Sequence, residues 1–224
     1  MKLRNLLVRG ALALSAVAMS AGTAVADPVI GGTLYKSGDM FARFIGSEAL
    51  YDDDLYFYIN VGDLGTAQFL FGNHSSAPGS EVDIDDAALA VGDEAIFGIC
   101  VDRAGGGGTT NGCADAEDFF YTGDPTRNGD GMHHIRIWTI EDYLAELPLD
   151  GASTQFVLDA QAAGYNYILG FEDILGGGDE DYNDVIYALR GVTTVPEPFS
   201  MTLLATGLAG MGGVGAFKRR KNRK

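Results

Sequence analysis

The chain has 224 residues, with 31 acidic side chains against 15 basic ones and a net charge of −16, a balance that repels nucleic acid and anionic lipid. At 46% hydrophobic and 10% aromatic it can still bury a core, which excludes a chain kept unfolded by its own charge. The basic residues gather at the ends, three before position 27 and six after 217, so residues 27–194 hold six of them against 30 acidic ones, a net charge near −24.

Residues 1–26 have three zones: Lys2, Arg4 and Arg9, then an alanine-rich apolar run over 11–19, then the small-x-small triplet Ala24-Val25-Ala26. This pattern predicts a signal peptide cleaved after Ala26. A signal-anchor helix is the alternative, and the short apolar core counts against it. Residues 27–194 then make one acidic, β-rich domain.

The interior of that domain reads as short strands separated by Gly, Asp and Asn turns. Segments 55–61 (LYFYINV) and 67–71 (AQFLF) flank Gly62-Asp63-Leu64-Gly65 and predict a hairpin. Segment 94–101 (EAIFGICV) predicts a strand running into the glycines at 105–108. Segment 134–140 (HIRIWTI) alternates, with Ile135 and Ile137 on one face, and leads into a short helix at 140–147, the only helix expected in the domain. Segments 165–171 and 182–189 predict a last pair of strands. Such a succession predicts an all-β fold, an antiparallel β-sandwich of jelly-roll-like kind with short loops. The two cysteines, Cys100 and Cys113, are expected to form a disulfide in an exported chain, worth about 3 kcal/mol for a loop of this size. A zinc pair is the alternative, but nothing nearby completes a four-ligand set.

The turn between the last two expected strands carries the densest chemistry. Six acidic side chains and Asn183 fall within 172–184, around Gly176-Gly177-Gly178. Three glycines let the backbone fold tightly, and so many carboxylates repel one another unless a hard cation with six to eight oxygen ligands neutralises them. The spacing Asp179-x-Asp181-x-Asn183 copies the first half of an EF-hand loop, with Asp173 and Glu172 available on the far side. Asp184 stands where that loop needs Gly, and Arg190 where it closes with Glu, so the expectation is calcium in a β-rich loop and not an EF-hand. A solvated acidic turn whose Asp and Asn residues serve only the backbone is the alternative. Within this reading, Asp181→Ala is expected to destabilise more than a change at Asp53.

The string GFEDILGGGDEDYNDVIYAL, with Asn128-Gly129-Asp130-Gly131-Met132-His133-His134 upstream, resembles the family catalogued as domain of unknown function 4114. That family joins a GFED strand end to a GGD-x-DYND turn and has an N-P-D-G-x-x-H stretch, in which Gly129 here replaces Pro. The resemblance is strongest over 124–190. It implies Asp173, Asp179, Asp181, Asn183 and Asp184 as metal positions and Asn128 and Asp130 as a second group. The family's activity is not established.

At the C-terminus Val195-Pro196-Glu197-Pro198 precedes an apolar, glycine-rich stretch over 199–217 and then Lys218, Arg219, Arg220, Lys221, Arg223 and Lys224. Such a stretch can just span a bilayer as a helix, with its basic end cytoplasmic. An ordinary anchor is the alternative, and Gly207, Gly210, Gly212, Gly213 and Gly215 count against it. Over 195–224 the chain resembles the PEP-CTERM sorting signal of Gram-negative, exopolysaccharide-producing bacteria. That resemblance implies transient inner-membrane insertion, an exosortase-type membrane protease as partner, and release to the cell surface or matrix.

Together these readings lead to an exported, calcium-stabilised surface or matrix protein with a structural or adhesive role. The alternative is a carbohydrate-binding module for exopolysaccharide, with Tyr51, Tyr56, Tyr58 and Trp138 as candidates to stack on sugar rings. A glycoside-active enzyme comes third. Paired carboxylates could serve it, but the sequence has no Gly-x-Ser-x-Gly, His-Glu-x-x-His or phosphate-loop pattern, and no enzyme is expected. The adjacent His133 and His134 would point to opposite faces of a strand.

Overall fold

The computed structural model of the chain describes residues 29–103, 116, 118–146 and 151–194. The expected leader, Cys113 and the sorting tail with its 199–217 span lie outside them. Among the described residues, no helix is long and apolar enough to cross a membrane.

Among the described residues, ten strands form an antiparallel sheet: β1 (Val29–Ile30), β2 (Leu34–Gly46), β3 (Asp52–Tyr58), β4 (Gln68–Gly72), β5 (Glu81–Asp83), β6 (Glu94–Asp102), β7 (Asp118–Tyr121), β8 (Ile135–Thr139), β9 (Tyr167–Phe171) and β10 (Val185–Thr193). Their order is β1-β8-β9-β10-β2-β6-β3-β4, with β5 beside β2 and β7 beside β6. The expected mostly-β, antiparallel class is borne out. The predicted hairpin is β3–β4, with Leu55 opposite Phe71, and the predicted last pair is β9–β10, with Val185 opposite Phe171.

Strands β8 and β10 show how period-2 patterning serves two cores. Along β10, Val185, Tyr187 and Leu189 enter the main core, while Ala188 faces the other way into a second cluster. Ile135 and Ile137 of β8 go to the main core and Trp138 to the second, as the alternation predicted for the two isoleucines. The main core also takes Phe57, Phe71, Phe97 and Phe120 from β3, β4, β6 and β7. Contacts cross between strands that are not neighbours in the sheet, Phe44 to Phe71 at 5.7 Å and Phe97 to Tyr187 at 6.0 Å between ring centroids.

Two helices cover the second cluster. The short α1 (Ile140–Glu146) is the one the sequence predicted. Thr139 starts it, its Oγ1 accepting from the Asp142 N–H at 3.2 Å, a side-chain cap for an otherwise orphan donor. The second helix, α2 (Gly151–Ala162), corrects the expectation of short loops and a single helix. Val157 and Ala160, one turn apart, are its buried residues among those whose side chains are described, while Leu158 beside them is exposed. That thin seam gives no wide apolar stripe to read from sequence. Its end is marked better than its face. Gly164 has φ 83 and donates to the Gln161 carbonyl at 3.0 Å, while Tyr165 donates to that of Ala160 at 3.0 Å, the Schellman pattern with its hydrophobic contact between Ala160 and Tyr165.

The long β2 carries no strand expectation from the sequence, yet it holds the sheet together. It pairs with β10 along one edge, and with β5 and, through Leu34 and Tyr35, β6 along the other. A bulge in β10 falls at Gly191 (φ 77), where a Cβ would overlap the Asp39 carbonyl of β2, so only glycine fits there.

Candidate metal centre

The acidic turn begins where the β9–β10 ladder ends. Glu172 N–H donates to the His134 carbonyl at 2.9 Å and Asp184 N–H to that of Phe171 at 3.2 Å, so both ends of the turn are fixed by strands. Gly170 is needed because a Cβ would overlap the Tyr182 carbonyl. Between the ends the backbone is repeatedly left-handed, at Gly176, Gly177 and Gly178 and also at the non-glycine residues Glu180 (φ 61) and Tyr182 (φ 56). Such residues cost about 1–3 kcal/mol each and persist where their surroundings fix them. Tyr182 is fixed: its ring lies in the second core cluster and its N–H donates to Glu172 Oε1.

The carboxylates divide into two sets. In the outer one, Glu172, Asp179 and Asp181 bring oxygens within 4.8 Å of one another. Calcium binds oxygens at 2.3–2.6 Å, so two ligands of one ion stand at most about twice that apart. Glu172 is buried and the other two are exposed. The inner set is Asp173, Asp184 and Asp53, the last reaching the turn from β3. Asp53 is 1% exposed, and its carboxyl lies against that of Asp173, with Asp184 close by. Sequence reasoning treated Asp53 as a bystander; the fold makes it part of the turn's surroundings.

The electrostatics of both sets run one way. Burial first, then the charges of Asp184, Asp181 and Asp179, raise Glu172 to about 7, against the lowering effect of the Tyr182 N–H. Burial and the neighbouring Asp173 and Asp184 push Asp53 up to about 10. Asp173 and Asp184 are raised as well, chiefly by burial and, for Asp173, by Asp184. Burial and Asp179 raise Asp181.

The domain's own cations are committed elsewhere. Lys36 pairs with Asp86 at 3.0 Å, Arg43 with Glu81 at 2.8 Å and Arg127 with Glu94 at 2.7 Å, while Arg103 pairs with Asp118 and Arg136 with Glu146. Arg190 lies over the Phe41 ring at 3.9 Å. Among the described residues no Lys or Arg forms an ion pair with Asp53, Glu172, Asp173, Asp179, Asp181 or Asp184, although Arg103 is near enough to oppose the rise at Asp173.

Asn183 donates from Nδ2 to Asp181 Oδ2 at 2.7 Å and to Glu48 Oε2 at 3.3 Å, orienting Asp181 from outside the outer set. Asn128 and Asp130 do not join the carboxylates. Asn128 is buried, with Oδ1 accepting from the Tyr121 N–H at 2.8 Å and Nδ2 donating to the Met132 carbonyl at 2.6 Å. Asp130 supports the turn instead. It accepts from Gly176 N–H at 2.8 Å and Met132 N–H at 2.9 Å, and its Oδ2 lies 2.9 Å from His134 Nε2. Partial burial works to raise Asp130, but those N–H donors and His134 prevail and hold it near 2. His134 itself is fully buried, stacked on Phe120 at 3.7 Å, with Nδ1 3.2 Å from the Glu172 carbonyl. The His134–Asp130 tie was missed in the sequence, where their four-residue spacing was its one local sign.

Cys100 on β6 is disulfide-bonded; Cys113, its expected partner, lies outside the described residues. Of the candidate sugar-stacking rings, Tyr58 and Trp138 are buried, while Tyr51 and Tyr56 are half-buried.

No curated protein and no solved structure matches the chain. One family model does: residues 89–192, which include the whole acidic turn and leave out β1 to β5 with Asp53, are similar to the domain of unknown function DUF4114.

Proposed function

We propose that the chain is an exported surface or matrix protein, structural or adhesive in role, whose acidic domain is stapled by calcium at Glu172, Asp179 and Asp181. The observation that carries the metal reading is their convergence within 4.8 Å in a region where, among the described residues, no Lys or Arg pairs with them. Oxygen-only ligands favour a hard cation, and an extracellular site of this kind binds at roughly 0.1–1 mM. The ion ties the β9–β10 turn shut, and Asp173 and Asp184, expected as ligands too, stand behind it. The contacts across the main core support a two-layered sandwich as the architecture so stapled. Export rests on the leader at 1–26, and surface delivery by an exosortase-type protease on the Val195-Pro196-Glu197-Pro198 tail. No catalytic residue is assigned.

Calorimetric titration of the purified chain with calcium tests this reading. A heat of binding is expected, together with a melting temperature that rises with calcium and falls with chelator. No heat and an unmoved midpoint would sink it.

A carbohydrate-binding role is the second reading, favoured by Phe69, 46% exposed and edge-on to Tyr56 at 5.5 Å. Apolar ring faces can stack on sugars at low entropic cost. Saturable binding on a glycan array, lost in Phe69→Ala, would support it.

A further inference from the structure

The three glycines that let the acidic turn fold also loosen it. Glycine loses more freedom on ordering than any other residue, so an ion that had to order Gly176, Gly177 and Gly178 as it bound would bind more weakly by that cost. A brace outside the turn removes the cost, and the segment 128–134 is built as one. Asp130 Oδ2 accepts from the Gly176 N–H at 2.8 Å, across 46 residues of chain. The same oxygen lies 2.9 Å from His134 Nε2, and the other ring nitrogen, Nδ1, lies 3.2 Å from the Glu172 carbonyl. Glu172 N–H in turn donates to the His134 carbonyl at 2.9 Å. Both main-chain polar groups of Glu172, the buried member of the outer set, are therefore held by His134.

The brace is itself anchored on β7. The His134 ring is 0% exposed and stacks on Phe120 at 3.7 Å, 16° from parallel. Asn128 joins the Tyr121 N–H to the Met132 carbonyl, and Met132 N–H donates to Asp130 Oδ1 at 2.9 Å. A continuous run of packed and hydrogen-bonded groups thus leads from β7 to Glu172 and Gly176, the two points that fix how the chain enters the glycines.

We propose that Asp130 and His134 are positioning residues for the outer site: without touching the ion, they set its affinity by holding Glu172 and Gly176 in place before it arrives. The inference rests on the proposed reading of Glu172, Asp179 and Asp181 as ligands, and neither Asp130 nor His134 belongs to that converging group. It makes 128–134 a brace for the turn and not a second set of ligands.

Amide exchange read by NMR and calcium calorimetry on the full chain test it together. In the metal-free parent the Gly176 amide should already be protected, although the residue is exposed. Asp130→Ala should open that amide to exchange and weaken calcium binding roughly tenfold, the usual scale for groups that orient metal ligands, at the stoichiometry of the parent. His134→Phe, which keeps a ring on Phe120, should weaken binding alike. Asp130→Asn, whose oxygen can still take the Gly176 N–H, should recover part of the loss. Lys36→Met, altered where β2 meets the far end of β10 at Val192, should bind as the parent does, which separates positioning from a general loss of stability. An unprotected Gly176 amide in the metal-free parent overturns the inference even where a variant folds poorly. Parent-like affinity in both Asp130→Ala and His134→Phe overturns it too, as does an equal weakening in Lys36→Met, and each leaves the outer site standing. An ion lost from Asp130→Ala overturns it by making Asp130 a ligand. No heat of binding in the parent removes the outer site, and the inference with it.

Discussion

Two acidic segments of this domain look alike in sequence and differ in kind. At 83–86 three aspartates crowd into four residues, but Asp83 and Asp85 are exposed and the half-buried Asp86 is served from within. It pairs with Lys36 at 3.0 Å and accepts the Met40 N–H at 2.9 Å, while Lys36 also donates to the carbonyls of Asp86 and Leu89. At 172–184 the acids are no denser, yet Glu172 and Asp173 are buried and, among the described residues, no basic side chain pairs with them. Acid density alone therefore marks nothing. What marks a site is carboxylate that the fold has taken out of water without supplying the opposite charge.

The comparison breaks first on calcium. At a hundred times its dissociation constant, an ion bound only by the folded state stabilises by about 2.7 kcal/mol, which for a domain of this size raises the melting temperature by roughly 5–10 °C. Glu172→Gln should abolish most of that rise, and it should also stabilise the metal-free protein by removing a buried acid. Asp85→Asn should leave the rise unchanged. Equal responses from the two variants in a melting assay would make the segments equivalent after all.

Acidity sharpens the same contrast. Glu172 near 7 and Asp53 near 10 are both raised in the folded, metal-free state. Below about pH 4 these groups are protonated whether or not the chain is folded. As pH rises from there toward 7, the unfolded chain ionises and the folded one resists, so stability falls. The metal-free melting temperature should drop by about 5 °C between pH 4.5 and 7.5, whereas saturating calcium, which binds the ionised form, should flatten or reverse the slope. Parallel curves with and without calcium would contradict this.

Lys36 gives the converse experiment at 83–86. Lys36→Met keeps the side-chain length but strands Asp86 and two carbonyls, and should cost about 2 kcal/mol equally with and without calcium. A loss confined to the metal-free protein would place 83–86 in the metal's reach.

Legibility in the sequence followed the range of the interaction. The β3–β4 hairpin, β6, β8 and the β9–β10 pair were readable because each carries its own period-2 run and turn residues. The inner face of β2 alternates at Met40, Ala42 and Phe44, but Lys36, Ser37, Gly38 and Asp39 interrupt the pattern, and the strand's identity comes from partners distant in the chain. Trp138 and Tyr58 illustrate a second limit. Alternation assigns a side chain to a face, yet only the fold decides that α1 sets Tyr143 edge-on to Trp138, and that Tyr121 of β7 does the same to Tyr58 at 5.2 Å. The outer site was legible because its residues share one short turn. Asp53 was not, since nothing local distinguishes it from Asp52 or Asp54.

The smallest effect is expected at Gly178, and it asks whether the turn's backbone or merely its charge makes the site. Gly178 has φ 54, and a Cβ there would land on Glu172 Oε2. Alanine in a left-handed conformation costs roughly 1 kcal/mol, and the methyl group must also displace the Glu172 carboxylate from Asp179 and Asp181. Gly178→Ala should therefore lower metal-free stability by about 1 kcal/mol and weaken calcium binding on the order of fivefold, another 1 kcal/mol. Gly129→Ala is the control, since a Cβ there meets open space without a left-handed φ; calorimetry should find its affinity unchanged. If Gly178→Ala binds calcium as the parent does, Glu172 Oε2 in its present position is not a ligand, because the added methyl group would stand too close for that oxygen to stay where it is.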